Sequence, residues 1–228
     1  MNQFATRKIR LIMKLRSEGI QDTAVLSAIE KIPREAFVPG SMRDQAYEDK
    51  TLPIGLEQTI SQPFVVATMT QALELDYNHK VLEVGTGSGY QAAVLSLLCR
   101  RVYSIERHRP LLEAAEQRFE QLKLRNITAI CADGMKGWQE QAPFDRIIVT
   151  ACAQIAPPDA LLNQLKEGGI MIIPVAFADG SQKLMRYKKE GEDTFAVRDI
   201  VPVRFVPLLP NVVARNAYQP QELQEVAF

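Results

Sequence analysis

The sequence predicts an α/β fold with a doubly wound, mostly parallel seven-stranded sheet, similar to a Rossmann fold, and an N-terminal helical extension. From residue 61 onwards, strand patterns alternate with helical patterns, which is typical of a parallel sheet that helices cover on both faces. The runs 80–84, 146–150 and 170–173 are apolar without a two-residue period, as expected of strands buried on both sides. A length of 228 residues suits one domain of this class.

The N-terminal part is predicted to consist of two helices and a long irregular stretch. Amphipathic patterns predict helices over 3–17 and 23–31, and Asp22 is placed to cap the second helix through its carboxylate. Residues 33–60 are predicted to be irregular, because they contain three prolines and two glycines. Loops of that length usually carry function or are poorly ordered.

The alternating part of the sequence defines the rest of the fold. In chain order, the patterns predict helix 62–74, strand 80–84, helix 88–99, strand 101–106, helix 110–123, strand 127–131, strand 145–150, helix 157–166 and strand 169–175. Strands near 182–188 and 194–203 are expected to close the sheet, with an antiparallel member. We expect a single domain over 1–228, made of N-terminal helices and a substrate-side loop (1–60), a cofactor-binding core (61–208) and a tail (209–228) without a clear pattern.

The composition excludes several classes of protein. The 27 basic residues balance the 27 acidic ones, so no overall field attracts nucleic acid or an anionic membrane. Charge-free runs reach only 16 residues, too short for a bilayer span. Cys99, Cys131 and Cys152 are odd in number and widely spaced, which favours a reducing, cytoplasmic location and no metal site. The basic, acid-free first 16 residues suit a helix laid on the domain, with an organelle transit peptide as the alternative.

A glycine-rich turn follows the first predicted strand of the core. It reads Gly85-Thr86-Gly87-Ser88-Gly89. Glycines are needed there if a ligand presses against the main chain, because such a ligand leaves no room for a Cβ atom. A tight turn without any ligand requires glycines as well. The spacing GxGxG also differs from the GxGxxG fingerprint of dinucleotide-binding proteins.

Acidic residues flank the ends of three successive predicted strands. Glu106 ends the second strand, where doubly wound folds place a carboxylate that binds both ribose hydroxyls, although a solvated charge is the alternative. Asp133-Gly134 follows the third strand, and an acid there can accept from the adenine amine. Glu83 would repel a pyrophosphate but suits an ammonium or sulfonium group. Together these acids predict a nucleoside ligand without a phosphate.

These features resemble the class I S-adenosylmethionine-dependent methyltransferases, and more closely the protein-L-isoaspartate O-methyltransferase family. The glycine turn is shared by many methyltransferases, whereas the sequence Gln-Thr-Ile-Ser-Gln-Pro at 58–63 is characteristic of this one family. The matching motifs lie at 33–39, 46–49, 52–55, 58–63, 82–91, 143–145, 149–151, 168–169 and 204–208.

The resemblance implies an activity and a set of site residues. It implies methyl transfer from S-adenosylmethionine to the free α-carboxylate of L-isoaspartyl residues in damaged peptides and proteins, whose ester then closes to a succinimide without the enzyme. It places Ser61 beside the reacting carboxylate, although a serine at a helix start is often simply a cap. It also implies that Gln58, Thr59 and Ile60 line the cofactor, and that Ile54, Gly55, Val149, Thr150 and Ala151 line the substrate side.

The chemistry of the acceptor agrees with this resemblance. A carboxylate is ionised at neutral pH, so the nucleophile needs no general base. Catalysis then depends on holding the carboxylate oxygen, methyl carbon and sulfonium in line. His79 and His108 lie in polar sequence and are predicted to be ordinary surface histidines, which disfavours a hydrolase that needs a positioned base.

Departures from the family pattern leave other functions open. Glu57 stands where the family usually has a small residue, so it either lowers the affinity for an anionic substrate or points away. The alternatives are a methyltransferase for another carboxylate or a small molecule, a non-catalytic cofactor-binding protein, and a nicotinamide-dependent oxidoreductase. We expect no nucleic-acid or membrane partner and favour a monomer.

Overall fold

The computed structural model describes residues 3–214, 217–218 and 226. Within them, the α-helices are α1 (Gln3–Ser17), α2 (Thr23–Lys31), α3 (Pro63–Ala72), α4 (Tyr90–Ser96), α5 (Arg109–Gln121) and α6 (Asp159–Asn163). The strands are β1 (Leu52–Pro53), β2 (Thr59–Ile60), β3 (Lys80–Val84), β4 (Arg101–Glu106), β5 (Ile127–Cys131), β6 (Phe144–Val149), β7 (Ala153–Gln154), β8 (Leu165–Ala176), β9 (Gln182–Lys189) and β10 (Phe195–Pro202). Short 3-10 helices lie at Arg34–Phe37, Gly40–Gln45, Gly134–Lys136 and Gln139–Gln141.

One large sheet organises these elements. Its strand order is β10-β9-β8-β6-β3-β4-β5, and the short β7 pairs with β8. Strands β5, β4, β3, β6 and β8 are parallel to one another, and β9 pairs antiparallel with both β8 and β10. This path of seven strands confirms the predicted fold class and adds an eighth, two-residue strand. The chain runs from β3 outwards to β5 and then returns to β6 on the other side of β3, so a crevice opens at the carboxyl end of β3.

The apolar strands are buried on both faces of the sheet. Val81 packs into a cluster with α3, α4 and α5, and Leu82 packs into the cluster on the other face, which includes Leu161 of α6. Both residues are fully buried, and each contributes about 1.5–3 kcal/mol of stability through burial. The two-sided burial explains why the strand sequences show no alternation.

Helices α1 and α2 form a separate layer beside α4. Leu15 and Ile29 pack into one buried cluster with Val94 of α4. The Asp22 carboxylate accepts from the amides of Ala24 and Val25, at 2.8 and 3.1 Å, and caps α2 as predicted. The N-terminal extension therefore docks on the helix that follows the glycine turn. None of the helices in the described part of the chain is long and apolar enough to cross a membrane.

Several predicted element boundaries were wrong. The stretch 33–60 is more regular than expected, because it contains two 3-10 helices and a small hairpin in which Leu52 pairs with Ile60. The predicted helix 157–166 ends at Asn163, since Leu165 already pairs with Phe144 as the start of β8. The predicted helix 88–99 was too long at both ends, because α4 covers only Tyr90–Ser96. The predicted tail 209–228 lies partly outside the described residues.

Candidate active site

A cavity of about 710 Å³ opens at the carboxyl ends of β3, β4 and β6. This volume is in the range of small-molecule sites, about 300–1,000 Å³. Pairing of Val84 with Ile105 and with Val149 brings the ends of the three strands to one level. The lining comprises residues 51, 57–62, 64–66, 84–88, 90–91, 105–108, 134, 150–151 and 201–209.

The glycines of the turn between β3 and α4 serve two different purposes. A Cβ atom on Gly85 would lie 2.3 Å from Oγ1 of Thr150, and one on Gly89 would lie 2.7 Å from the Phe119 ring. These two glycines are therefore required by the protein's own packing, whether or not a ligand binds. A Cβ on Gly87 would meet only Ile54, at 3.4 Å, and Gly87 lines the cavity. Gly87 is therefore the glycine that leaves room for a ligand.

Glu106 presents a fixed carboxylate at the end of β4. It accepts from the amide of Gly87 at 2.8 Å and from the amide of His108 at 2.9 Å. The side chain is nearly buried but lines the cavity. Burial raises the pKa of this carboxyl, and the amides of Gly87, His108 and Arg107, with the Arg107 charge, oppose that rise. A carboxylate has about four lone-pair sites, so the two amides leave Glu106 able to accept from the hydroxyls of a ligand.

Glu83 is placed differently from the prediction. Its carboxyl is fully buried, lies outside the cavity lining and accepts from the hydroxyl of Ser104. That hydroxyl is 2.5 Å from Oγ1 of Thr86, so the three side chains form a polar network beneath the glycine turn. Burial raises the pKa of Glu83 to about 8. In this structure Glu83 therefore supports the turn, and its predicted role towards a cationic ligand stays a prediction.

Asp133 and Gly134 follow β5 at the edge of the cavity. Gly134 lines the cavity, whereas Asp133 does not. The Asp133 carboxylate accepts from the amide of Met135 at 2.9 Å and caps the 3-10 helix Gly134–Lys136. The binding of an adenine amine by Asp133 therefore stays a prediction.

The segment 58–61 lines the cavity, with Thr59 and Ile60 forming β2. Among the described residues, the Ser61 hydroxyl has no hydrogen-bond partner. The helix-cap alternative for Ser61 is wrong, because Asp49 accepts from the amide of Phe64 at 2.8 Å and α3 begins with Pro63. The Ser61 hydroxyl is thus available to a ligand in the cavity.

The predicted substrate-side residues are only partly in the cavity. Thr150 and Ala151 line it, but Ile54, Gly55 and Val149 do not. Ile54 and Val149 are fully buried, because the small hairpin turns Ile54 into the core and Val149 belongs to the interior of β6. Substrate contacts by these three residues therefore stay a prediction, which the arrangement of the cavity does not support.

His108 and the segment 201–209 line the cavity but were not predicted to do so from the sequence. His108 is half-buried in its wall rather than on the surface, and burial, together with Arg107, lowers its pKa to about 4. His79 lies outside the lining, where its Nδ1 accepts from the amide of Asp76. The wall also includes 201–209, which backbone hydrogen bonds between Cys152 and Val206 and between Leu208 and Cys152 bring close. The family motif at 204–208 indicated that this segment has a function, but nothing in the sequence indicated that it forms part of the cavity wall.

Comparisons with known proteins give the family. The sequence profile of "Protein-L-isoaspartate(D-aspartate) O-methyltransferase (PCMT)" matches residues 6–213. Among curated proteins, the chain is 59% identical to the protein-L-isoaspartate O-methyltransferase of Rhodospirillum centenum, over 91% of this chain and 94% of that one. It is 57% identical to that of Parvibaculum lavamentivorans, over 95% and 97% of the two chains.

Solved structures agree with this assignment. A protein-L-isoaspartate O-methyltransferase superposes with a TM-score of 0.81 at 32% identity, over 90% of this chain and 67% of that one. A putative protein-L-isoaspartate O-methyltransferase from Plasmodium falciparum, solved in complex with S-adenosyl-L-homocysteine, has the same fold, with a TM-score of 0.77 at 24% identity over 89% and 98% of the two chains. The chain therefore belongs to the protein-L-isoaspartate(D-aspartate) O-methyltransferase family, which confirms the family predicted from its motifs.

Proposed function

We propose that this chain uses S-adenosylmethionine to methylate the free α-carboxylate of L-isoaspartyl residues in damaged peptides and proteins. The resulting ester closes to a succinimide, which begins repair of the linkage. One observation carries the proposal: the family-specific segment 58–61 and the glycine turn line the same cavity. We propose that Ser61 faces the acceptor and that Gln58, Thr59 and Ile60 face the methyl donor, so that the two sites are adjacent.

The residues of the cavity fit an adenosine-containing cofactor. Glu106 is fixed by two amides and has lone pairs left for ribose hydroxyls. Gly87 leaves the main chain open to a ligand, with Thr86 and Ser88 beside it in the lining. We propose that Gly134 lies against the base and that Asp133 accepts from its amine. When bound, S-adenosylmethionine supplies an activated methyl group on a positively charged sulfur, and S-adenosylhomocysteine remains after transfer.

The protein's contribution to the reaction is orientation. The acceptor carboxylate is already ionised at neutral pH, so no side chain has to remove a proton from it. His108 is a poor base in any case, because burial lowers its pKa to about 4. The Ser61 hydroxyl is free to donate to the acceptor carboxylate and fix the direction of its attack. Well-oriented reactants gain about 7–11 kcal/mol relative to free encounter.

A pair of synthetic peptides that differ only in one isoaspartyl or aspartyl linkage tests this proposal. With isotopically labelled S-adenosylmethionine, we expect label in the isoaspartyl peptide and none in its aspartyl control. Methylation of both peptides or of neither would contradict the proposal. Binding of the cofactor without formation of S-adenosylhomocysteine would favour a non-catalytic protein, and tight binding of NAD alone would favour an oxidoreductase.

One feature of the cavity favours a second candidate function. Glu57 lines the cavity beside the segment 58–61 and adds a negative charge near the proposed acceptor. A methyltransferase that acts on a small or less anionic acceptor is the candidate that this charge favours. It would be supported if neither peptide is methylated while other carboxylic acids are.

We also propose a setting for the protein. Cys99, Cys131 and Cys152 are free thiols, which fits a reducing, cytoplasmic compartment. We propose one domain over 1–228, acting as a monomer on protein substrates without a nucleic-acid or membrane partner. Light scattering after size-exclusion chromatography measures the mass, and a dimer would contradict this part of the proposal.

A further inference from the structure

Arg34 is a buried charge that the proposed reaction does not use. It begins the 3-10 helix Arg34–Phe37 in the N-terminal extension, and its side chain is completely buried. Arginine is rarely buried unless it is paired, because taking a charge out of water is costly. Burial accordingly lowers the pKa of Arg34, although a guanidinium remains charged in proteins. The groups that the guanidinium binds therefore have to offset this cost.

The guanidinium of Arg34 joins three parts of the chain. Its Nη2 donates to the carbonyl of Ser61 at 2.7 Å, and its Nε donates to the carbonyl of Ala46 at 2.9 Å. Its central carbon lies 4.7 Å from the centre of the Tyr90 ring, within cation–π distance. Tyr90 begins α4 directly after Gly89 and lines the cavity. Arg34 thus contacts both the acceptor segment and the end of the glycine turn.

We infer that Arg34 is a positioning residue for methyl transfer, which fixes the main chain at Ser61 relative to the glycine turn and thereby aims the Ser61 hydroxyl at the acceptor. Arg34 itself lies outside the cavity lining and has no place in the bonds that change. The inference rests on the proposed function and adds a requirement for one particular side chain.

The geometry requires arginine rather than any cation. A guanidinium presents donors in a planar, rigid fork and stacks on an aromatic ring, whereas a lysine ammonium is a compact charge on a flexible stem. In this structure Nε and Nη2 reach two carbonyls and the central carbon lies over the Tyr90 ring, whereas Nη1 has no hydrogen-bond partner among the described residues. Apolar side chains often replace buried charges without loss of stability. A role in stability alone therefore does not explain a fully buried guanidinium as well as a role in positioning does.

The test compares Arg34→Lys with Arg186→Lys. Arg186 is the matched control, because it is also buried and bonds to Glu74 and to the carbonyl of Ala72, and it lies outside the cavity lining. For each variant, kcat and KM with the isoaspartyl peptide, the Kd of S-adenosylhomocysteine by calorimetry, and the Tm are measured. A misplacement of about 1 Å at a reacting group can cost about 100-fold in rate.

For Arg34→Lys we expect kcat to fall about 10- to 100-fold. The Kd of S-adenosylhomocysteine should stay within about threefold, because Arg34 touches the acceptor segment more directly than the cofactor side. Arg186→Lys should lower the Tm and leave kcat within about twofold, since a distant buried contact affects stability and not orientation.

Three outcomes would overturn the inference. The first is a kcat for Arg34→Lys within about twofold of the wild type, and the second is an equal fall of kcat in both variants. The third is that Arg34→Lys and Arg34→Gln both fail to fold while Arg186→Lys folds, which would make Arg34 a residue of the core. A wild-type chain that methylates neither peptide would instead contradict the proposed function, and this inference with it.

Discussion

The two sides of the cavity are built in different ways. The glycine-turn side is held by its own hydrogen bonds, including those from the Thr150 hydroxyl to the Gly85 carbonyl at 2.6 Å and from the Gly87 amide to Glu106 at 2.8 Å. The proposed acceptor side, 57–61, includes only one two-residue strand of the small hairpin; of its residues only Ile60 is buried, and Arg34 bonds to the Ser61 carbonyl from the N-terminal extension.

Because the two sides are built differently, we expect one to determine the affinity for the cofactor and the other to determine the rate of methyl transfer. The glycine-turn side belongs to the parallel sheet, where strand ends fix the positions of the polar groups. The acceptor side depends on residues outside the sheet, so we expect small movements at Ser61 to change the alignment of the reactants more than the binding of the cofactor. Substitutions on the glycine-turn side should therefore change the affinity for the cofactor, and those on the acceptor side should change kcat or KM for the peptide.

The largest effect is expected for Glu106→Ala. Hydrogen bonds to a charged group contribute about 1.5–3 kcal/mol each, so loss of two to the ribose should weaken S-adenosylhomocysteine binding at least about 100-fold. Calorimetric titration measures the Kd, with Glu116→Gln, an exposed residue of α5, as the control. An unchanged Kd would show that the glycine-turn side does not bind the cofactor, and the expected difference in role between the two sides would then be wrong.

The next effect concerns pH and the buried network beneath the glycine turn. Burial raises the pKa of Glu83 from 4.5 to about 8, so the folded state holds a proton that the unfolded state releases above pH 4.5. This contribution to stability is complete below pH 4.5 and is lost as the pH rises towards 8. At about 1.36 kcal/mol per pH unit, the wild type should lose about 2 kcal/mol of unfolding free energy between pH 6 and pH 8.

Urea denaturation at pH 6 and pH 8 checks this expectation. Glu83→Gln cannot titrate, so its unfolding free energy should change less between the two pH values than that of the wild type. Other titrating groups affect both proteins equally, and the difference between the two slopes isolates Glu83. If the unfolding free energy of the two proteins changes equally between pH 6 and pH 8, Glu83 is ionised in the folded state and water reaches the glycine-turn side more than the structure indicates.

The same contrast explains what the sequence was able to predict. The position of Glu106 followed from the rule that strand ends carry the site, and the structure places it in the cavity. The buried network of Glu83 with Ser104 was not predicted, because β3 is buried on both faces and an unbroken apolar pattern does not reveal which side a polar residue faces. The location of 201–209 depends on pairing with Cys152, a contact between distant parts of the chain that no local pattern encodes.

On the acceptor side, we expect Ser61→Ala to lower kcat about 10-fold, because the variant loses a hydrogen bond of about 1.4 kcal/mol that orients the nucleophile. The Kd of S-adenosylhomocysteine should stay within about twofold. Steady-state kinetics with the isoaspartyl peptide gives kcat, and the exposed Ser41→Ala is the control. A loss of affinity for the cofactor with an unchanged kcat would reverse the roles of the two sides.

The smallest effect is expected for Glu57→Gln. Glu57 is exposed at the cavity wall, and removal of an exposed like charge near an anionic acceptor is worth about 0.2–1 kcal/mol. The KM for the isoaspartyl peptide should therefore fall by up to about fivefold at low salt, with kcat unchanged. At about 1 M salt the Debye length shrinks to about 3 Å, so the difference from the wild type should disappear. A fall in KM that persists at high salt would mean that Glu57 acts by shape rather than charge, and an unchanged KM at low salt would mean that its carboxylate points away from the acceptor.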